Sequence, residues 1–110
     1  MRQLVKGICE AYGVSYEVSY ETTCPMTFNA SEQAESATNA AIKLLGKENS
    51  NGDIEARQFS EDFSIMADNK PGCFVLMGNG TSGSNGKPLH AANYDFNDEL
   101  LVIGSSYWVE

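Results

Sequence analysis

Cys73-Phe74-Val75-Leu76-Met77 is an unbroken apolar run closed at its ends by Gly72 and Gly78. A strand that sends every side chain, rather than every second one, into apolar surroundings has to be covered on both faces. The run therefore calls for a sheet with a layer on each side. A second strand reads differently. Val14, Tyr16, Val18 and Tyr20 alternate with Ser15, Glu17, Ser19 and Glu21, the two-residue period of a strand with one apolar and one wet face. A weaker third, around 53–56, has Ile54 as its only strongly apolar residue.

Helical spacing accounts for much of the rest. Leu4, Val5, Ile8, Cys9 and Ala11-Tyr12 recur at helical intervals, and Gly13 predicts a stop near Tyr12. Beyond Pro25, either Asn29 or Ser31 can cap a helix whose apolar stripe is Ala34, Ala37, Ala41, Leu44 and Leu45, with Gly46 as its stop. Gly46–Asp53 concentrates turn formers and reads as an exposed loop. Ser60 is placed to open a short helix through about Ala67, and Leu100, Leu101 and Ile103 predict a closing helix from Asp98 onward. This order of elements is α/β. Its strands are too few for a self-sufficient sheet, which predicts that other parts of a larger sheet lie outside these residues.

The 110 residues fit one small domain. Seven basic against fifteen acidic side chains give a formal charge of −8, which repels phosphate backbones and anionic lipid surfaces and argues against nucleic-acid and membrane partners. The basic N-terminus is followed by no apolar run, and no stretch approaches the ~20 apolar residues of a spanning helix. The reading is a soluble, cytoplasmic chain. Cys9, Cys24 and Cys73 lack the paired spacing of a zinc knuckle or redox dithiol, and their odd number argues against a closed disulfide set. They read as reduced, mostly buried thiols. A catalytic thiol would need a base beside it, and the only imidazole is His90.

The loop from Gly78 to His90 carries the strongest chemical signal. Gly78, Gly80, Gly83 and Gly86 permit close approach of backbone to a ligand, so the segment can supply N–H donors as well as one imidazole. Composition alone favours a flexible surface loop. A phosphate cradle is excluded, because the loop lacks the terminal Lys-Ser/Thr that such cradles use. His90 is a good zinc ligand type, but a metal site needs three or four donors, so a lone histidine is more often structural.

Taken in order, Ser60-Glu61-Asp62-Phe63, Pro71-Gly72-Cys73-Phe74, Gly78-Asn79-Gly80, Pro88-Leu89-His90 and Asp95-Phe96 resemble the C-terminal part of the metal-dependent amidohydrolases that include hippurate hydrolases, indole-acetyl-amino acid hydrolases, aminoacylases and carboxypeptidases. The resemblance covers nearly the whole chain and is specific from Ser60 to Phe96. It implies an α/β/α zinc-peptidase-like catalytic domain, with residues 1–24 as the end of a lid or dimerisation domain and 25–110 as the C-terminal part of the catalytic domain. It makes His90 a ligand to one of two Zn2+ ions, or Mn2+ or Co2+, which would polarise the scissile carbonyl and lower the pKa of a bridging water. The other ligands and the general base are implied to lie in the larger N-terminal part of such enzymes, leaving no catalytic residue in this chain.

The same resemblance places Ser60, Glu61 and Asp62 near the active-site face, where carboxylates orient a ligand or shape the substrate pocket. Helix capping explains them as well: Ser60 is a good cap, and acidic residues suit the first turn. Phe59 stands where a glycine commonly precedes this turn. Gly78, Asn79 and Gly80 are implied to lie near the substrate, although Asn79 also suits a simple turn. Phe96 reads as a core anchor, with Asn97 or Asp98 capping the last helix. The intact enzyme would hydrolyse N-acyl amino acids or small peptide-like amides, whereas these 110 residues alone would not. The competing class is a non-catalytic interaction module that pairs through the Val14–Tyr20 strand. Dimerisation is one way for either to hide apolar surface, and a thiol redox protein is disfavoured by the cysteine spacing.

Overall fold

Gly13 ends the first helix, α1 (Arg2–Tyr12), as the spacing predicts: it takes φ 64°, and the N–H groups of Gly13 and Val14 return to the carbonyls of Glu10 and Cys9. The computed structural model describes residues 1–110 and contains three more α-helices. The second, α2 (Ser31–Leu45), stops at Gly46 as expected, but its N-cap is Ala30 and neither Asn29 nor Ser31 caps it. A 3-10 turn, Lys47–Asn49, lies within the predicted loop. The third helix, α3 (Phe63–Asn69), starts three residues after Ser60; its N-cap is Asp62, without a side-chain capping bond. The last, α4 (Leu100–Tyr107), follows an N-cap at Glu99, which again makes no side-chain cap.

Two of the helices form the packed part of the molecule. The Tyr107 hydroxyl on α4 donates to the Ala37 carbonyl of α2 at 3.1 Å, and Lys43 pairs with Glu110 beyond the end of α4. Neither α1 nor α3 packs on another helix. Phe63 of α3 instead lies against Phe74, with ring centroids 5.5 Å apart. No helix is long and apolar enough to cross a membrane.

The structure does not confirm the α/β expectation: it has helices and no strand. Residues 14–20, 53–56 and 73–77 are neither helical nor paired in a ladder. The reason is physical: hydrophobic pattern selects which face of a strand is apolar, but a strand persists only when its N–H and C=O groups find a neighbour. For the apolar run a side chain substitutes. Asn29 Nδ2 donates to the Phe74 carbonyl at 3.0 Å and its Oδ1 accepts the Phe74 N–H at 2.8 Å, while the Ala30 N–H donates to the Gly72 carbonyl at 2.9 Å. For Phe74, Asn29 supplies what an adjacent strand would.

Without a sheet there is no continuous core. Ser64 is the only buried residue, and Val75, Leu76, Met77, Val14, Tyr16 and Tyr20 are all exposed. The accessible surface is 9374 Å², against about 5,900 Å² for a compact protein of this size. The radius of gyration is 19.7 Å, against about 13 Å. Two further expectations change accordingly. Phe96 is 77% exposed and no core anchor; it meets only Tyr94, edge to face at 5.1 Å. The three free cysteines are half-buried rather than buried. Between α2, residues 50–57 and the apolar run lies an open groove of about 360 Å³, with Ala37, Ala41, Ile54, Phe74, Leu76 and Tyr107 among its walls.

Candidate functional site

The glycine-rich segment after the apolar run is not a free loop. Asn79 Nδ2 donates to the carbonyls of Asn85 at 2.9 Å and Asp95 at 2.8 Å, and its Oδ1 accepts the Asn97 N–H at 2.9 Å. Asn97 answers from the other side: its Nδ2 donates to the Asn79 carbonyl at 3.3 Å, and its Oδ1 accepts the Glu99 N–H at 3.2 Å. Asn97 therefore turns the chain into α4 with its side chain, as a residue just outside the helix rather than at its N-cap.

Inside this frame three tight turns follow one another. The Gly86 N–H reaches the Ser82 carbonyl at 3.0 Å. A side chain at Gly86 would stand 2.5 Å from the Ser82 nitrogen, so the close passage of backbone past backbone requires glycine. Pro88–Ala91 then closes through the Ala91 N–H to the Pro88 carbonyl at 3.2 Å, and the Tyr94 N–H continues to the Ala91 carbonyl at 2.9 Å. His90 sits within the Pro88–Ala91 turn, exposed, with φ 68°, the one non-glycine residue with positive φ. Such a conformation is uncommon for a side-chain-bearing residue, although histidine tolerates it better than most. Its imidazole makes no hydrogen bond or ion pair with another side chain in this structure.

The two predicted groups are thus positioned differently. Asn79 builds the frame that carries His90 and Gly80 lies against Asn85 within it, whereas Gly78 makes no hydrogen bond to it. Ser60, Glu61 and Asp62 have no hydrogen bond or ion pair to that frame. Their local role is in the backbone: the Glu61 carbonyl accepts both the Ser64 hydroxyl at 2.7 Å and the Ser64 N–H at 3.1 Å. This explains why Ser64 is buried although polar. The capping alternative for Ser60 is not realised, since Ser60 precedes the N-cap and its side chain bonds no helix N–H. The Glu61 and Asp62 carboxylates carry no partner.

No three of His, Cys, Asp and Glu come together to hold a metal ion. His90 offers one donor where a site needs three or four, so these residues do not by themselves fit a metal. The perturbed groups lie elsewhere, at the groove. Burial raises the Cys73 thiol above 9.0. Burial, and then the neighbouring Cys73 charge, raises the Tyr107 phenol above 10.0.

Two side chains that organise the backbone escape a reading by local pattern. Asn29 was assignable as a cap and Asn79 as a turn residue or substrate contact, because an asparagine amide serves all these roles. The available signal is position, since each asparagine lies at a junction between an apolar or turn segment and the next element.

Residues 3–110 match the peptidase family M20/M25/M40. The chain is similar to a hippurate hydrolase of Campylobacter jejuni, 28% identical over 98% of this chain and 27% of that protein. It is also similar to thermostable carboxypeptidase 2 of Saccharolobus solfataricus, 29% identical over 96% of this chain and 26% of that protein. A probable hydrolase of Synechocystis sp. is 24% identical over 92% of this chain and 26% of that protein. The chain spans about a quarter of the length of these relatives. No solved structure matches it.

Proposed function

The chain belongs to the peptidase family M20/M25/M40, and from this premise we propose that it is the C-terminal portion of a metal-dependent amidohydrolase acting on N-acyl amino acids or small peptide-like amides. The observation that carries the reading is the similarity to a hippurate hydrolase along 98% of the chain. On this reading the fold is completed as a zinc-peptidase-like α/β/α domain, residues 1–24 end a lid domain, and His90 contributes one ligand to a two-metal centre of Zn2+, Mn2+ or Co2+. The remaining ligands and the general base come from outside these residues. A surface about 3,500 Å² larger than that of a compact protein supports a fold completed by further chain. Three free cysteines suit a reducing, cytoplasmic setting.

A second reading has one observation in its favour: Val14, Tyr16 and Tyr20 present 46–55% exposed side chains on a segment without a ladder partner, as an interaction module would. The deciding experiment replaces the matched quarter of the Campylobacter jejuni hippurate hydrolase with residues 1–110. The amidohydrolase reading expects hippurate cleavage that His90→Ala abolishes without unfolding the chimera. A folded chimera that is inactive, or one whose activity is indifferent to His90→Ala, sinks it.

A further inference from the structure

Asn79 has no amide donor left for a substrate. An asparagine side chain carries two N–H donors and one carbonyl oxygen; both donors are taken, by the Asn85 and Asp95 carbonyls, and the oxygen holds the Asn97 N–H. The three bonds reach three different parts of one segment: the tight turn that precedes Pro88, the stretch that follows His90, and the entry to α4. Asn97 closes the frame reciprocally by donating to the Asn79 carbonyl. His90 lies between the two flanking attachment points, residues 85 and 95, in the only left-handed non-glycine conformation of the chain. A residue held so is set by what fixes its flanks, because its own side chain is bonded to nothing.

We propose that Asn79 is a positioning residue for His90: its amide clasps both flanks of the loop and fixes the backbone conformation that presents the imidazole. This deepens the proposed function, which supplies the reason for presenting an imidazole there, but the clasp itself is read without any metal. A hydrogen bond donated by Asn79 to substrate would first have to break the clasp.

The test is amide hydrogen exchange and His90 13Cα and 13Cβ shifts in the 110-residue chain, for wild type, Asn79→Ala and Asn79→Asp, with the amides of α2 as an internal control of folding. Losing one bond of this kind accelerates exchange about fivefold. With Asn79→Ala the Asn97 amide exchanges about fivefold faster and the His90 shifts move to random-coil values, while α2 stays protected. Asn79→Asp keeps an acceptor for the Asn97 N–H but loses both donors. Its Asn97 amide remains protected, and the His90 shifts still move. If α2 protection collapses in the alanine variant, the aspartate variant decides. His90 shifts unchanged in a variant that keeps α2 protected overturn the proposal. An inactive chimera with these exchange results intact removes the metal-ligand reading and leaves the clasp standing.

Discussion

Replacing His90 by glycine should stabilise its turn, while replacing it by alanine should not. The left-handed region costs a non-glycine L-residue about 1–2 kcal/mol, and His90 occupies it at φ 68°. Alanine inherits that cost; glycine removes it. Against this, glycine adds about 0.4–1 kcal/mol of freedom to the opened loop. The difference leaves His90→Gly about 0.5–1 kcal/mol more stable in this turn than His90→Ala, roughly a two- to fivefold change in local opening. The reporters are the Ala91 and Tyr94 amides, held by the Pro88 and Ala91 carbonyls at 3.2 and 2.9 Å. Their exchange should be about two- to fivefold slower in the glycine variant than in the alanine variant. Both variants lack the imidazole, so the comparison isolates the backbone. Equal exchange, or faster exchange with glycine, would refute the assignment of strain to residue 90.

Three further outcomes follow from the same geometry. Asn29→Ala removes both bonds to Phe74, about 1 kcal/mol each, so the Phe74 amide should exchange roughly thirtyfold faster; Asn29→Asp, which keeps the acceptor, should retain most of the protection, and indifference of Phe74 to the alanine change would refute the pairing. Burial raises Cys73 above 9.0, and burial together with Cys73 raises Tyr107 above 10.0, so the folded state binds more protons than the unfolded one, and the stability from these groups is complete below pH 9 and declines as pH rises through 9 and then 10. Tyrosinate absorbance compared between wild type and Tyr107→Phe should reveal a step above the ordinary tyrosine range, and a step within or below that range contradicts the burial. Calorimetric titration with Zn2+ should give a Kd weaker than about micromolar, as a single donor provides; tight stoichiometric binding lost in His90→Ala would mean that the chain builds a complete metal centre.

The parts of the fold legible in sequence are those decided within one turn of chain. Gly13 and Gly46 end α1 and α2 where the spacing says, because a C-terminal cap depends on the conformation of one residue and on carbonyls three to five positions back. Strands failed for the complementary reason. Val14–Tyr20 alternates as a strand should, yet alternation names a face and leaves the partner unspecified. The Asn29 contact with Phe74 spans 45 positions and the Asn79 contact with Asn97 spans 18, so neither is encoded in local propensity. Family resemblance singled out His90 and Asn79, but the left-handed backbone of His90 and the occupied amide of Asn79 belong to the folded loop.

The unmet demand of the apolar run now has a direction. In an extended strand the N–H and C=O of one residue point to the same edge, and those of the next residue to the other. Gly72 and Phe74 are bonded to residues 29 and 30, so their edge is occupied as far as residue 74 and becomes available only from Leu76. The opposite edge, carried by Cys73, Val75 and Met77, has no backbone partner anywhere along the run. Phe63 of α3 reaches Phe74, and Met77 approaches Gly104 of α4, so helices already touch the run while its second edge has no backbone partner. On the proposed α/β/α reading, a completing strand would join first beside Cys73, Val75 and Met77. Until it does, the amides of Val75 and Met77 should exchange freely while that of Phe74 is held, and slow exchange at all three would mean that a second copy or a rearranged segment of this chain already fills that edge.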